Sequence, residues 1–191
     1  MTRTAGALIG RRRSSAFWGL GCPKTHHEIK DSLDTDIYAV SIYPYLLDGI
    51  AGNSEKIPRN LFSRVRSYIG DKPFGVAETG FNAKTWRVLS RFIWIPGNEE
   101  SQAGYIKFLM DESNKLNAKF VNWWVPRDLD MLWERMKDAG ADPVMSQWNS
   151  NGLVNSQGTP HQGLEFWKTW LKKPLKIRYN NATQPTADHG G

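Results

Sequence analysis

Residues 71–81 read DKPFGVAETGF, an apolar run that ends on a glutamate and turns at once on a glycine. Residues 74–77 are typical of a short strand that is covered on both faces, as in a parallel sheet. Glu78 therefore stands at the C-terminal end of a predicted buried strand, where parallel α/β proteins place functional side chains. A glutamate there is either a solvated charge or a carboxylate held at a cleft, and the neighbouring strands favour the second interpretation.

Aromatic residues end the predicted strands before and after this one. The segment DIYAVSIYPYL carries Tyr43 and Tyr45 at its end, and KFVNWWV carries Trp123 and Trp124. Both segments are rich in β-branched and aromatic residues, which favour strands. Phenol groups that orient a carboxylate, together with indole rings that stack on a sugar, suit a site that forms an oxocarbenium-like transition state.

Helices are predicted between these strands. Leu61, Phe62, Val65 and Ile69 lie on one helical face, and Gly70 is a typical stop signal after it. Strands that alternate with helices, with each strand buried, predict an α/β fold with a parallel sheet. Three βα units do not close a barrel, so they form either a small open sheet or the last part of a larger fold.

Turn-forming residues predict the loops and the helix caps. A long loop is expected from the second strand to Gly97, and Asn98 is expected to cap the next helix. Asp128 is expected to cap the helix after the third strand, and Thr159 with Pro160 to begin the last one. These boundaries predict a folded region at residues 36–173. An unpatterned N-terminal segment with a short helix precedes it at 1–35, and a polar tail follows at 174–191.

Composition narrows the class of protein. The 191 residues are 40% hydrophobic and 23% charged, as in soluble globular proteins, and no apolar run approaches the roughly 20 residues that span a bilayer. Half of the net charge of +6 comes from Arg11, Arg12 and Arg13, which favours a solvated tail over a nucleic-acid site. Cys22 is the only cysteine, which excludes an intrachain disulfide and a cysteine metal cluster. The four histidines have no metal-ligand spacing and no cofactor motif is evident, so neither a metal nor a cofactor is predicted.

Four segments of the sequence, taken in order, resemble the last three βα units of the clan A glycoside hydrolases. Among these hydrolases, the segments are most similar to the endo-β-1,4-galactanase and related arabinogalactan-degrading group. The resemblance covers roughly residues 36–172 and implies the C-terminal part of a TIM-type β/α barrel. The segments are DIYAVSIYPYL, KPFGVAETGF, KFVNWWVPRDLDMLW and SNGLVNSQGTPHQGLEFWKTW.

The resemblance also implies roles for the residues at the strand ends. The family's catalytic nucleophile, a glutamate at the end of the seventh strand, matches Glu78. The tyrosine that hydrogen-bonds this nucleophile matches Tyr43 or Tyr45, and the tryptophan that forms the floor of the sugar site matches Trp123 or Trp124. Because a single bulge would exchange the side chain that faces the cleft, both pairs stay open.

Tyr45 is also a candidate for contact with a saccharide, and two further residues join it. Trp86, in the predicted long loop after Glu78, either lines a sugar subsite or anchors the loop. Asp128 either caps the following helix or binds a sugar hydroxyl.

The sequence departs from the family at one catalytic position. The family's general acid/base is a second glutamate that follows an asparagine at the end of the fourth strand, and no such pair precedes residue 36. Glu28 lies in a predicted helix and does not replace it. A retaining glycosidase needs two carboxyl groups about 5–5.5 Å apart. We therefore expect a sequence that begins part way through a barrel.

Two functional hypotheses follow. The first is a fragment of a retaining, endo-acting glycoside hydrolase that cleaves β-linked plant-type polysaccharide, with Glu78 as nucleophile. The alternative is a non-catalytic barrel remnant or carbohydrate-binding fragment that lacks the acid/base. Both predict an oligo- or polysaccharide ligand. Unpaired sheet edges in either case favour self-association or a partner that supplies the missing half. Location is not predicted, because no signal peptide is evident although family members are often secreted.

Overall fold

The computed structural model of the chain describes residues 37–47 and 49–173, so the expectations for the N-terminal segment and the polar tail lie outside the described residues. The strands of this region are β1 (Tyr38–Ile42), β2 (Phe74–Thr79), β3 (Lys84–Val88), β4 (Ile93–Asn98) and β5 (Val121–Trp123). Its α-helices are α1 (Leu61–Ile69), α2 (Glu99–Lys115), α3 (Asp130–Asp138) and α4 (Gly163–Leu171).

The predicted parallel sheet is confirmed. Strands β1, β2 and β5 are neighbours in that order, and both pairs run parallel. Phe74 and Val76 are fully buried on β2, as the continuous apolar run predicts for a central strand covered on both faces. Because α1 and α2 cross between successive strands, the C-terminal ends of all three strands meet at one edge of the sheet.

The hydrophobic core lies between the sheet and the crossover helices. Helix α1 buries the four residues predicted for its inner face and ends at Gly70, which adopts a left-handed φ of 68°. Helix α2 adds Tyr105, Ile106 and Leu109, which have no exposed surface. The 3.6-residue period of the sequence therefore predicts α1 and the face that it buries.

The prediction of a long loop after β2 is wrong, because an antiparallel hairpin of β3 and β4 occupies most of this segment. Trp86 and Val88 are buried while their neighbours are exposed, and this alternation is the period-2 signal of a strand with one covered face. Residues with β propensity, such as Ile93 and Ile95, supply a second signal. Gly97 and the proline before it are loop-forming residues, and they obscured this pattern.

Two of the three predicted helix caps are wrong. Asn98 caps α2 as expected, since its side chain accepts the backbone N–H of Ser101 at 2.7 Å. Asp128 does not cap α3, which begins two residues later, because its carboxylate has other partners. Thr159 does not cap α4 either, because its backbone N–H and C=O both bond to Asn155 in a tight turn.

The outer helices leave apolar side chains in solvent. None of the residues of α3 is buried, and Met131 and Leu132 are 60% and 49% exposed. On α4, Phe166 and Leu171 are also exposed, although Trp167 packs against the core. Over residues 37–47 and 49–173, no helix has the length and apolar character that crossing a membrane requires.

We expect the Asn98 cap to stabilise the fold measurably. Asn98→Ala removes the acceptor for the Ser101 N–H, so it should lower the free energy of unfolding by about 1 kcal/mol in urea titrations. Asn60→Ala is the matched control, because Asn60 precedes α1 at the same position but makes no capping hydrogen bond. Equal losses in the two variants would contradict the assignment.

Candidate active site

Glu78 and Tyr43 meet at the C-terminal edge of the parallel sheet. Glu78 lies near the end of β2, opposite Ser41 of β1, and Tyr43 directly follows β1. The Tyr43 hydroxyl donates a hydrogen bond to Oε1 of Glu78. Both residues are half-buried, so this carboxylate is held by the protein and still reaches solvent. Of the two tyrosines left open by the sequence, the structure places Tyr43 on Glu78.

The surroundings of Tyr43 keep its phenol protonated. Burial raises the pKa of Tyr43 well above its ordinary value, and the hydrogen bond to Glu78 raises this pKa further. The same bond requires the phenol proton, because an ionised carboxylate only accepts hydrogen bonds. Tyr43 is therefore a donor to Glu78 over the whole neutral pH range.

Tyr45 supports the site from beneath and has no access to a ligand. It is 1% exposed, and its ring contacts that of Tyr43 edge-on at 5.9 Å between centroids. Its hydroxyl donates to the carbonyl of Gln147 at 3.3 Å and accepts from Nδ2 of Asn151 at 3.4 Å. Burial raises the pKa of Tyr45 as well. The expectation that Tyr45 contacts substrate is corrected, because Pro44 begins a short 3₁₀ turn that directs this side chain into the core.

The two tryptophans at the end of β5 have different environments. Trp123 is 9% exposed, donates its indole N–H to the carbonyl of Asn151 at 2.7 Å and packs against Tyr105 and Trp167. Trp124 is 41% exposed, and its backbone N–H donates to the carbonyl of Thr79 at the end of β2. Trp124 is thus the indole available to a ligand, whereas Trp123 belongs to the core.

Gly80 permits the close packing of these strand ends. A Cβ atom at this position would lie 2.6 Å from Nδ2 of Asn151 and 2.6 Å from the carbonyl oxygen of Trp124. Only a residue without a side chain lets the loop after β5 approach the exit of β2 so closely. The glycine that follows Glu78 and Thr79 is therefore required by the packing around the carboxylate.

Trp86 anchors the hairpin, which is one of the two roles left open by the sequence. Its side chain is buried, and its indole N–H donates to Oγ of Ser146 at 2.8 Å. Ser146 belongs to a 3₁₀ helix, Pro143–Trp148. At the surface, the side chains of Arg91 and Asp142 form an ion pair at 3.1 Å, which also joins the hairpin to this segment. Trp86 is therefore corrected from a candidate subsite residue to a packing residue.

The prediction that Asp128 binds a sugar hydroxyl is also corrected, because its side chain has no exposed surface and so reaches no ligand. Its Oδ1 accepts the backbone N–H of Gly152 at 2.8 Å, and its Oδ2 lies 3.0 Å from Nε2 of His161. The other ring nitrogen of His161 lies 2.8 Å from Oε1 of Glu99. This Glu99–His161–Asp128 network ties the loop after β5 to the starts of α2 and α4.

Sequence reasoning missed most of the residues that hold the site in place. His161 stands alone in the sequence, and Glu99 has the pattern of a charge at a helix N-terminus. Asn151 lies in a stretch of polar residues typical of an exposed loop, yet it is fully buried. No sequence spacing signals these contacts, since they join residues 28 to 106 positions apart. Among the described residues, no group of three or more His, Cys, Asp or Glu side chains has an arrangement that could hold a metal ion.

Comparison of the sequence with known protein families and with curated proteins finds no match. The structure, in contrast, is similar to solved structures of glycoside hydrolases. Faecalibacterium prausnitzii β-glucuronidase matches with a TM-score of 0.51 at 19% identity over 73% of this chain. A β-glucuronidase from Bifidobacterium dentium, solved with coumarin-3-O-glucuronide, matches with a TM-score of 0.51 at 17% identity over 74% of this chain.

An endo-laminarinase from Formosa matches with a TM-score of 0.53 at 19% identity over 82% of this chain. The chain spans 22% of each of the two glucuronidase chains and 45% of the endo-laminarinase chain. At these identities the comparison establishes the fold. The chain has an α/β fold that corresponds to part of a TIM-type β/α barrel with parallel strands, as the sequence predicts. Nothing in the comparison distinguishes the galactanase group from other glycoside hydrolases.

We expect the contribution of Glu99 to stability to depend on pH. The hydrogen bond from His161 lowers the pKa of Glu99, and desolvation of the carboxylate raises this pKa by less. The folded state therefore favours the ionised carboxylate. A lowered folded-state pKa stabilises the protein above the unfolded-state pKa, and this stabilisation disappears as the pH falls through the folded-state value. Glu99→Gln should therefore be less stable than the natural chain at pH 7, by a margin that shrinks below about pH 4.5.

Urea titrations from pH 7 down to about pH 4 measure this margin. Glu100→Gln is the control, because Glu100 is the exposed neighbour in the same first turn of α2. A margin for Glu99→Gln that is constant over this range, or that equals the margin for Glu100→Gln, would contradict the network.

Proposed function

We propose that this chain is the nucleophile-bearing part of a retaining, endo-acting glycoside hydrolase. The observation that carries the proposal is the hydrogen bond from Tyr43 to Glu78, made at the C-terminal edge of a parallel β/α sheet. A half-buried carboxylate that stands at a strand end with a fixed donor is oriented for attack on a bound sugar. The similarity to glycoside hydrolase structures agrees with this chemistry and does not by itself assign it.

Glu78 is the group that attacks the sugar in this mechanism. One of its oxygens forms a bond to the anomeric carbon while the bond from that carbon to the leaving oxygen breaks. A general acid supplies the proton that the leaving oxygen takes up. The general acid, now deprotonated, then acts as base and takes a proton from water. The water oxygen bonds to the anomeric carbon as the bond to Glu78 breaks, so two inversions leave the configuration at this carbon retained.

Tyr43 and Trp124 assist this chemistry in different ways. Tyr43 fixes the orientation of the Glu78 carboxylate and stabilises its charge before attack. Trp124 offers an exposed indole face beside the same strand ends, and flat apolar faces of sugar rings stack on such a surface. In this proposal the sugar that Glu78 attacks stacks on the Trp124 indole.

The proposed substrate is a β-linked plant-type polysaccharide, and β-1,4-galactan is the first choice because of the resemblance of the sequence to galactanases. The structural neighbours make β-1,3-glucan and β-glucuronides the natural comparison substrates. A panel of these three substrates tests specificity directly.

A second candidate function is carbohydrate binding without catalysis. It is favoured because, in the part of the chain that the structure describes, the other ends of the parallel strands supply no carboxylate that could act as acid/base. Asp128 is fully enclosed, and no glutamate or aspartate ends β1 or β5. The exposed apolar residues of α3 and α4 are consistent with a covering partner or a second copy, which either function permits.

In a full-length version that also carries the acid/base, we expect Glu78→Gln to abolish turnover and to spare binding. The amide keeps the size of the side chain and a hydrogen-bonding oxygen, but it is not a nucleophile, so the rate should fall by roughly a thousandfold or more. The release of reducing ends from the panel measures turnover, and affinity gel electrophoresis with the same polysaccharides measures binding.

Glu55→Gln is the control, because Glu55 is an exposed glutamate outside the strand ends. Turnover by Glu78→Gln that equals that of the control would refute the role of Glu78. Binding by the full-length version without any turnover would instead support the second candidate function.

A further inference from the structure

The hairpin of β3 and β4 carries an exposed aromatic and cationic surface. It follows β2 directly in the chain, so it leaves the parallel sheet at the edge that holds Glu78. One face of the hairpin is turned inward, where Trp86 and Val88 are buried. On the other face, Arg87 and Trp94 are exposed and stand directly opposite each other on the two strands. This outward face is accessible to a ligand, since Trp94 is 61% exposed.

Contacts on two sides hold the hairpin in place. On one side it packs against the loop between β1 and α1, where a Cβ atom on Gly52 would lie 1.6 Å from the carbonyl oxygen of Pro96. On the other side, the backbone N–H of Ala83 donates to the carbonyl of Ser150 at 2.7 Å, in the segment that joins α3 to α4. The Trp86 indole is hydrogen-bonded within the same segment. The hairpin is therefore a fixed support for the side chains on its outward face.

Arg87 and Trp94 form a cation–π stack on this face. The central carbon of the guanidinium lies 4.0 Å from the centroid of the Trp94 ring. Stacking restrains the long arginine side chain, which lowers the entropy cost of binding an anion. The planar guanidinium offers two parallel N–H groups to the two oxygens of a carboxylate. The exposed part of the indole offers the apolar surface on which flat faces of sugar rings pack.

The charges of the hairpin favour an anionic ligand. Residues 83–98 include three cationic side chains and no aspartate or glutamate. Two of the cations lie near carboxylates, since Lys84 is 3.8 Å from Asp128 and Arg91 is 3.1 Å from Asp142. Within residues 37–47 and 49–173, Arg87 has no such ion pair, and its contact is the neutral Trp94 ring. The charge of Arg87 is therefore available to a carboxylate of a ligand.

We propose that Arg87 and Trp94 bind carboxylate-bearing sugar units of the polysaccharide on which the chain acts. The guanidinium of Arg87 pairs with the carboxylate of a uronic acid unit, and the indole of Trp94 packs against the sugar ring. The substrate class is then an acidic β-linked polysaccharide, and the bond that Glu78 attacks belongs to the same molecule. The inference deepens the proposed function and rests on it only for the statement that the bound polysaccharide is the substrate.

The test compares two oligosaccharides that differ only in the carboxylate. Oligomers of β-1,4-linked glucuronic acid carry a carboxylate where cello-oligosaccharides of the same length carry a hydroxymethyl group. Isothermal titration calorimetry at low salt measures the affinity of the full chain for both. We expect the glucuronate oligomer to bind about tenfold more tightly, as for a charge-assisted hydrogen bond at an exposed site. Equal affinity for the two oligomers would overturn the inference.

Substitutions locate this preference on the hairpin. Arg87→Gln should bind both oligomers about equally, and Arg87→Lys should recover only part of the preference, because an ammonium has no planar fork. Trp94→Ala should weaken the binding of both oligomers. Arg64→Gln is the matched control, since it removes the same charge from an exposed arginine on α1 and should keep the tenfold preference. Equal losses in Arg64→Gln and Arg87→Gln would reveal unspecific attraction and contradict the site.

An anionic membrane is the other ligand class that this hairpin suits, because Leu89 and Phe92 at its tip are 79% and 98% exposed. Sedimentation with phosphatidylserine vesicles tests this class. A chain that binds the vesicles and has no preference for the glucuronate oligomer would contradict the saccharide site. Binding needs no turnover, so Glu78→Gln should keep the preference. Failure of the proposed hydrolase function is seen separately, as inactivity of the full-length version on neutral and acidic substrates.

Discussion

The parallel pairing of β1 with β2 and of β2 with β5 determines where the functional groups lie. Parallel neighbours need a crossover connection, and the crossover helices cover the sheet and bring the C-terminal ends of the strands to one edge. For this reason Tyr43 and Glu78, which are 35 positions apart in the chain, share a hydrogen bond. The sheet is a rigid support, and the half-buried carboxylate at its edge is fixed before any ligand arrives.

The loops beyond the strand ends are held by buried polar contacts. Asn151 is central to them, because its carbonyl accepts from Trp123 and its side chain donates to Tyr45. The Glu99–His161–Asp128 network fixes the other end of the same loop. Buried polar groups with good partners specify one arrangement, since any other arrangement leaves donors or acceptors without partners. The loops around Glu78 thus have the order that a preorganised site requires.

The sequence predicts the strands and helices well, and the side-chain contacts of the site much less well. The apolar run before Glu78 and the periodic face of α1 carry strong signals, because burial leaves a continuous apolar run in a central strand and a periodic trace in a helix. The sequence carries no such signal for the choice between Trp123 and Trp124, since one strand position decides which indole enters the core. The roles of Asp128 and Trp86 leave no local signal for a related reason: their partners come from distant loops, and propensity describes only local preferences.

Covalent labelling of Glu78 tests the central claim of this account most directly. A 2-deoxy-2-fluoro-β-galactoside with a dinitrophenyl leaving group suits this purpose, because the leaving group departs without protonation and the fluorine slows the release of the sugar. Labelling therefore needs the nucleophile and not the acid/base. Peptide mapping by mass spectrometry should find the sugar on Glu78 and should find no label in Glu78→Gln. A label on another residue, or no label on a chain that binds the same sugar, would contradict the account.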